Sequence, residues 1–322
     1  MLKTFLTQAW GLRYPILNAS MTPAAAGNLA RAVTDAGGLG MIGVNETWTP
    51  ADIERECAVA REGDQQRRFG IGLFGWALEA RPELLDSAIA QKPFLISISF
   101  LDLAPYAQRV HDAGISLAAQ VQSRRDAQAA LRNGVDVLIA QGTEAGGHTG
   151  DVSTLLMLQI ALELTEKPVL AAGGIATARG LAAVLAAGAA GAWIGTPFLL
   201  ADEAAVSDAA RERILAADET QTVLTSLFDR LQGFPWPARF RGRALANEMT
   251  RAYHGREDEA LADSTALAQF REAKQSGNFA LANIYAGQSA GLLTSRYPAR
   301  QIVEELGEGA ERVLRGRFSE LL

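Results

Sequence analysis

Of the three histidines in this 322-residue chain, one sits where chemistry would be done. His148 follows Gly146-Gly147 in the stretch Gln141-Gly142-Thr143-Glu144-Ala145-Gly146-Gly147-His148-Thr149-Gly150, with four glycines between positions 142 and 150. Glycine lets a backbone come close to a ligand and turn its N–H groups toward it. An imidazole held there is a proton acceptor poised near neutral pH. The competing reading is a loop histidine that caps a backbone carbonyl. His111 precedes the helix stop at Gly114, where a helix C-terminus favours positive charge. His254 falls in a polar helical stretch and reads as a surface residue.

Two further glycine turns read Ala171-Ala172-Gly173-Gly174-Ile175 and Gly195-Thr196-Pro197-Phe198, each followed closely by a helix start. Backbone N–H groups at such turns hold phosphate, and Thr196 adds a hydroxyl. Asn18-Ala19-Ser20-Met21 ends another strand, with Met21 reading equally well as core filler. Gln120, Gln122 and Gln141 end two more, and uncharged amides hydrogen-bond the edge of a heterocycle without a counter-ion. Glu144 stands alone and reads as an orienter of its loop, while Cys57 lies mid-helix and reads as packing. There is no carboxylate pair for glycoside chemistry and no metal-ligand cluster, so no metal is expected. Neither a Walker sequence nor, at 188–195, a dinucleotide fingerprint is present. A phosphate grip, neutral donors and one histidine point to a phosphorylated organic cofactor that carries the reaction.

These residues need a scaffold that brings strand ends together. Eight short apolar, β-prone runs occur at Pro15–Ala19, Leu39–Gly43, Phe69–Phe74, Phe94–Ser99, Ile115–Val121, Val135–Gln141, Pro168–Ala172 and Ala190–Ile194. Helical spacing fills the gaps, and helices repeatedly end at glycine or Lys-Pro just before a strand. The runs are apolar on both faces, as in a parallel sheet covered by helices. Eight such units over residues 1–200 predict a TIM (β/α)8 barrel, with an open doubly wound sheet as the competing arrangement. Working residues of such barrels sit on the loops after the strands, where His148 and the glycine turns fall. Residues 201–322 read as a helical extension without strands. Within it, 233–243 (GFPWPARFRGR) is a candidate lid, whose Arg239, Arg241 and Arg243 read as a solvated basic face or as partners for a nucleotide phosphate. The chain is expected to return to the barrel near 285–293.

Lys and Arg total 30 against 36 for Asp and Glu, a net charge of −6 that lacks the footprint of a nucleic-acid binder. No apolar run is long enough to span a membrane, no signal peptide is evident, and a lone cysteine excludes a disulfide framework. A cytoplasmic enzyme with a small-molecule substrate is the expectation. The Ala-rich tail is compatible with a homodimer.

AQGTEAGGHTG (140–150), AAGGIAT (171–177), WIGTPF (193–198), the N-terminal PILNASM and YAGQSAGLL (285–293) together resemble the nitronate monooxygenase family, formerly called 2-nitropropane dioxygenases. Close versions occur in FMN-dependent NADH:quinone reductases and FabK-type enoyl-ACP reductases. The resemblance implies an FMN-containing barrel with His148 as catalytic base or acid. Ala19, Ser20 and Met21 would run along the isoalloxazine ring, and Gln120 and Gln141 would reach its polar edge. Gly146 would let the loop approach the ring. Ala172, Gly173, Gly174, Gly195 and Thr196 would bind the phosphate. Three departures stand out: Ser20 where the family has proline, Gly72 where an asparagine often contacts FMN, and Gln120 where some relatives carry lysine. The implied activity is oxidation of alkyl nitronates, and of nitroalkanes once deprotonated, by O2 to carbonyl compounds and nitrite via a flavin semiquinone. The alternative is an NAD(P)H-dependent reductase of quinones or enoyl thioesters.

Overall fold

The structure, a computed structural model, describes residues 2–321, with side chains through Arg317. All eight expected strands form, within a residue or two of their apolar runs. They are β1 (Ile16–Asn18), β2 (Met41–Gly43), β3 (Gly70–Phe74), β4 (Leu95–Ser99), β5 (Ser116–Val121), β6 (Val137–Gln141), then, after a short β7 (Gly147–Thr149), β8 (Val169–Ala172) and β9 (Gly191–Ile194). The parallel order is β2-β3-β4-β5-β6-β8-β9-β1. A Leu17–Leu39 bridge and the Leu39 amide donating to the Ile16 carbonyl at 3.0 Å close the ends into a barrel, not an open sheet.

Both faces of each strand are used, which is why the sequence runs do not alternate. Inward, Leu17, Met41, Leu95, Ala118, Ile139, Leu170 and Trp193 pack into one interior cluster. Outward, Ile42, Ile71, Ile96, Leu117, Leu138 and Val169 pack under the helices. With a period of two along a strand, the inward series ends at the barrel mouth with Ala19, Phe74, Gln120, Gln141 and Ala172.

Asn18 completes the β1–β2 seam. Its buried amide donates to the Met41 carbonyl at 2.9 Å and accepts from the Met41 N–H at 2.8 Å, a job no backbone group performs there. Asn18→Ala leaves both Met41 groups buried and unpaired. It should lower the unfolding free energy by about 2–4 kcal/mol. Equilibrium urea unfolding measures this, and a change within a few tenths would remove Asn18 from the seam.

The tail departs from expectation. It is mostly helical and ends in the 23-residue helix Ala299–Leu321, which packs on Ala178–Ala186 and Gly27–Asp35. It also contributes two strands, β10 (Thr222–Thr225) and β11 (Arg241–Leu245), that sequence reasoning does not anticipate. β11 pairs antiparallel with β10 on one side and β7 on the other. No helix among the described residues is long and apolar enough to cross a membrane.

Candidate active site

His148 lies on a clamped strand and not on a free loop. In β7 it pairs with Gly242 of β11, so the tail sheet fixes its backbone. A Cβ at position 242 would lie 2.6 Å from the Tyr285 ring, so glycine there lets Tyr285 pass beside the histidine strand. The His148 Nε2 lies 2.9 Å from Asp229 Oδ2, and the two side chains are only 10% and 4% exposed. Tyr285 donates its hydroxyl to the other carboxylate oxygen at 2.9 Å. Burial, the Asp229 charge and that hydrogen bond hold the Tyr285 phenol well above its usual pKa, so it remains a donor. With the neutral imidazole donating from Nε2 to the carboxylate, the lone pair falls on Nδ1.

The segment 233–243 lies over this group. Trp236 stacks on the imidazole at 3.5 Å between ring centroids and 8° between planes. Trp236 also meets Phe74 at 5.8 Å and Phe100 at 5.2 Å, and Phe100 meets Phe240 at 5.1 Å. The three arginines do not form one solvated face. Arg239 pairs with Asp126 at 2.5 Å and Arg241 with Asp151, both at the surface. Arg243 is buried, donates to the Thr143 carbonyl at 2.6 Å, and has its pKa lowered by burial.

The glycine turns after β8 and β9 have unused donors. Gly173 and Gly174 both take positive φ, +102° and +71°, which favours glycine. Among the described residues, no protein acceptor pairs with the amides of Gly173, Gly174, Gly195 or Thr196. Thr196 Oγ1 accepts from the Gly287 amide at 2.9 Å and keeps its own proton to donate. Such a set fits one phosphate. Gln141 accepts from Gln122 Nε2 at 2.7 Å, which leaves its NH2 group for a ligand. The Gln120 side chain is partly exposed with no partner among the described residues, while its backbone N–H donates to Ser99 Oγ at 3.0 Å. Glu144 accepts from the Thr154 amide and hydroxyl, each at 2.9 Å, and so orients its loop.

Ser20 and Gly72 are one linked feature. A Cβ at position 72 would lie 2.1 Å from Ser20 Oγ, so the serine side chain occupies the space a residue-72 side chain would enter. Met21 and Ala19 are half-buried beside Gly195, within 3.6 Å of where its Cβ would be. Gly146 also has a neighbour within the protein. Its missing Cβ makes room for the Ala286–Gly287 backbone, 2.6 Å from that position. Cys57 is buried, with its thiol pushed up to about 12 by burial, so it is no nucleophile.

Asp229, Tyr285 and Trp236 are the site residues that sequence reasoning misses as such. Asp229 sits in LFDRLQ, an ordinary helical stretch 81 positions from His148. The aromatic spacing of 233–243 and the YAGQ segment are the only local signals.

A (β/α)8 barrel with a histidine–carboxylate pair and a turn pair of unused amide donors at its mouth is a layout that suits a cofactor-dependent enzyme. The chain belongs to the nitronate monooxygenase family, whose model matches residues 81–309. That family is one of flavin-dependent oxidoreductases. The chain is 34% identical over 242 residues to a (3aS,4S,5R,7aS)-5-hydroxy-7a-methyl-1-oxo-octahydro-1H-indene-4-carboxyl-CoA dehydrogenase of Mycobacterium tuberculosis, covering 73% of this chain. The chain spans 65% of that relative's length. Among solved structures, FabK from Thermotoga maritima matches at a TM-score of 0.86 and 26% identity, covering 100% of both chains. Nitroalkane oxidase from Streptomyces ansochromogenes matches at 0.78 and 26%, covering 95% of this chain and 98% of that one.

Proposed function

We propose that this chain binds FMN and oxidises alkyl nitronates, and nitroalkanes after deprotonation, with O2 to carbonyl compounds and nitrite. The observation that carries the reading is the His148–Asp229–Tyr285 relay beside the phosphate-sized cradle. Nitroalkanes are carbon acids, and their oxidation starts when a base removes the α-proton. The Nδ1 lone pair of His148 takes that proton, leaving the nitronate anion and an imidazolium. Asp229 balances the new charge from the Nε2 side, and the stacked Trp236 face adds a cation–π contribution. The protein thus has to move only one proton.

Gly173, Gly174, Gly195 and Thr196 would hold the FMN phosphate with free donors, while Gln120 and Gln141 would meet the polar edge of the ring. FMN, when bound, supplies the electron transfer from substrate to O2. A second reading, reduction of an enoyl thioester or quinone by NAD(P)H, draws on the whole-chain likeness to FabK.

Anaerobic spectroscopy of the purified holoprotein separates the two. Butyl-1-nitronate should perturb the visible flavin band, and admission of O2 should restore it with release of nitrite. Bleaching by NADH or NADPH, with no response to the nitronate, would move the assignment to a reductase.

A further inference from the structure

Building on the reading of His148 as the proton acceptor, we propose that Trp236, Phe74 and Phe100 form the wall that receives the substrate's carbon skeleton. The substrate class is then a neutral nitro compound with an aromatic or bulky apolar substituent, not a nitro acid.

The first argument is directional. Nδ1 lies in the imidazole plane, and Trp236 flanks that plane in near-parallel stacking at 3.5 Å. A carbon acid whose α-proton points at Nδ1 therefore lays its substituent beside the indole edge. Around that indole, Phe74 stacks at 5.8 Å with 17° between planes and Phe100 meets it edge-on at 5.2 Å and 78°. An aromatic or branched group gains dispersion and edge-to-face contact there. Phe100 reaches Trp236 from a left-handed backbone, φ +70°, a conformation costly for a residue with a Cβ. Such strain persists where the surroundings hold a side chain in one place.

The second argument is charge. On and beside the 233–243 segment, Arg239 and Arg241 are paired with the carboxylates of Asp126 and Asp151, whereas Arg243 and Lys274 donate to neutral groups of Thr143, Thr222 and Gln232. The fixed charges felt at the relay are negative, since Asp229 and Glu46 both disfavour ionisation of Tyr285. A substrate carboxylate would meet those two like charges, while the donors of Arg243 are already engaged by Thr143 and Thr222. A neutral nitro compound becomes an anion only as the imidazole becomes a cation, so its charge is balanced where it forms.

The test compares kcat/KM of the holoenzyme for phenylnitromethane and 3-nitropropionate, alongside calorimetric binding of the unreactive probes 2-phenylethanol and propionate. The wild type should favour the aromatic member of each pair. Trp236→Ala should lower the aromatic-to-acid ratio by about 10–100-fold. Trp236→Leu serves if the alanine variant fails to fold, with a smaller loss in the same direction. A wild-type preference for the acids, or a ratio unmoved by either variant, would overturn the proposal. Binding of 2-phenylethanol that depends on Trp236, with neither nitro compound turned over, would uphold the wall and instead overturn the reading of His148.

Discussion

His148→Asn should lower kcat/KM for a neutral nitroalkane by about 10²–10⁴-fold, while turnover of the same compound supplied as its pre-formed nitronate changes only a few-fold. The asymmetry follows from what the ring supplies. A neutral nitroalkane needs a base within reach of its α-carbon, and an asparagine amide has no basic lone pair to offer. A nitronate has already lost that proton, so the proposed cofactor contacts would still serve it. The variant also has a structural cost. Asp229, 4% exposed in its side chain, loses its imidazole donor and keeps only Tyr285. Loss of one buried hydrogen bond to a carboxylate costs about 1–3 kcal/mol, visible as a lower urea midpoint. The nitronate rate separates the two effects, because misfolding would reduce both substrates alike. Equal wild-type and variant rates on the neutral nitroalkane would remove His148 as the base.

How much of this was legible in the sequence depends on how local each signal is. The barrel strands were legible because burial on both faces writes an unbroken apolar run, and glycine or Lys-Pro marks where each helix stops. His148 stood out because a titratable side chain among four glycines has few packing explanations. The tail strands were hidden for the opposite reason. β11 reads Arg-Gly-Arg-Ala-Leu, poor in β-branched residues, and it is extended because it bridges β7 and β10. Arg243 likewise looks like a surface charge in sequence, and only the pairing of β11 with β7 carries it to the Thr143 carbonyl. Ser20 and Gly72 read as two separate departures from a family pattern, whereas in space the Ser20 side chain takes up the room Gly72 leaves. Contacts across 56 and 81 positions, those of Asp229 with Tyr285 and His148, leave no periodic trace at either end.

Asp229→Asn should cost on the order of 10²-fold in kcat for neutral nitroalkanes although the side chain keeps its shape. The carboxylate accepts from both neighbours, so a neutral His148 donates through Nε2 and carries its lone pair on Nδ1. An asparagine has one accepting and one donating end. Tyr285, buried and held protonated, remains a donor and takes the amide oxygen. The NH2 group then faces Nε2, which must accept, and the imidazole proton moves to Nδ1 where the substrate proton was to go. The base is lost through its tautomer, with KM little changed and pre-formed nitronates spared. A purely structural role for Asp229 would not reverse the tautomer, so nitrogen chemical shifts of His148 provide the deciding readout. The double variant Asp229→Asn with Tyr285→Phe removes the competing donor, frees the amide oxygen for Nε2–H, and should recover part of the lost rate. A reversed tautomer with undiminished nitroalkane turnover would show that proton abstraction does not pass through Nδ1, and no recovery in the double variant would put the whole cost on the missing charge.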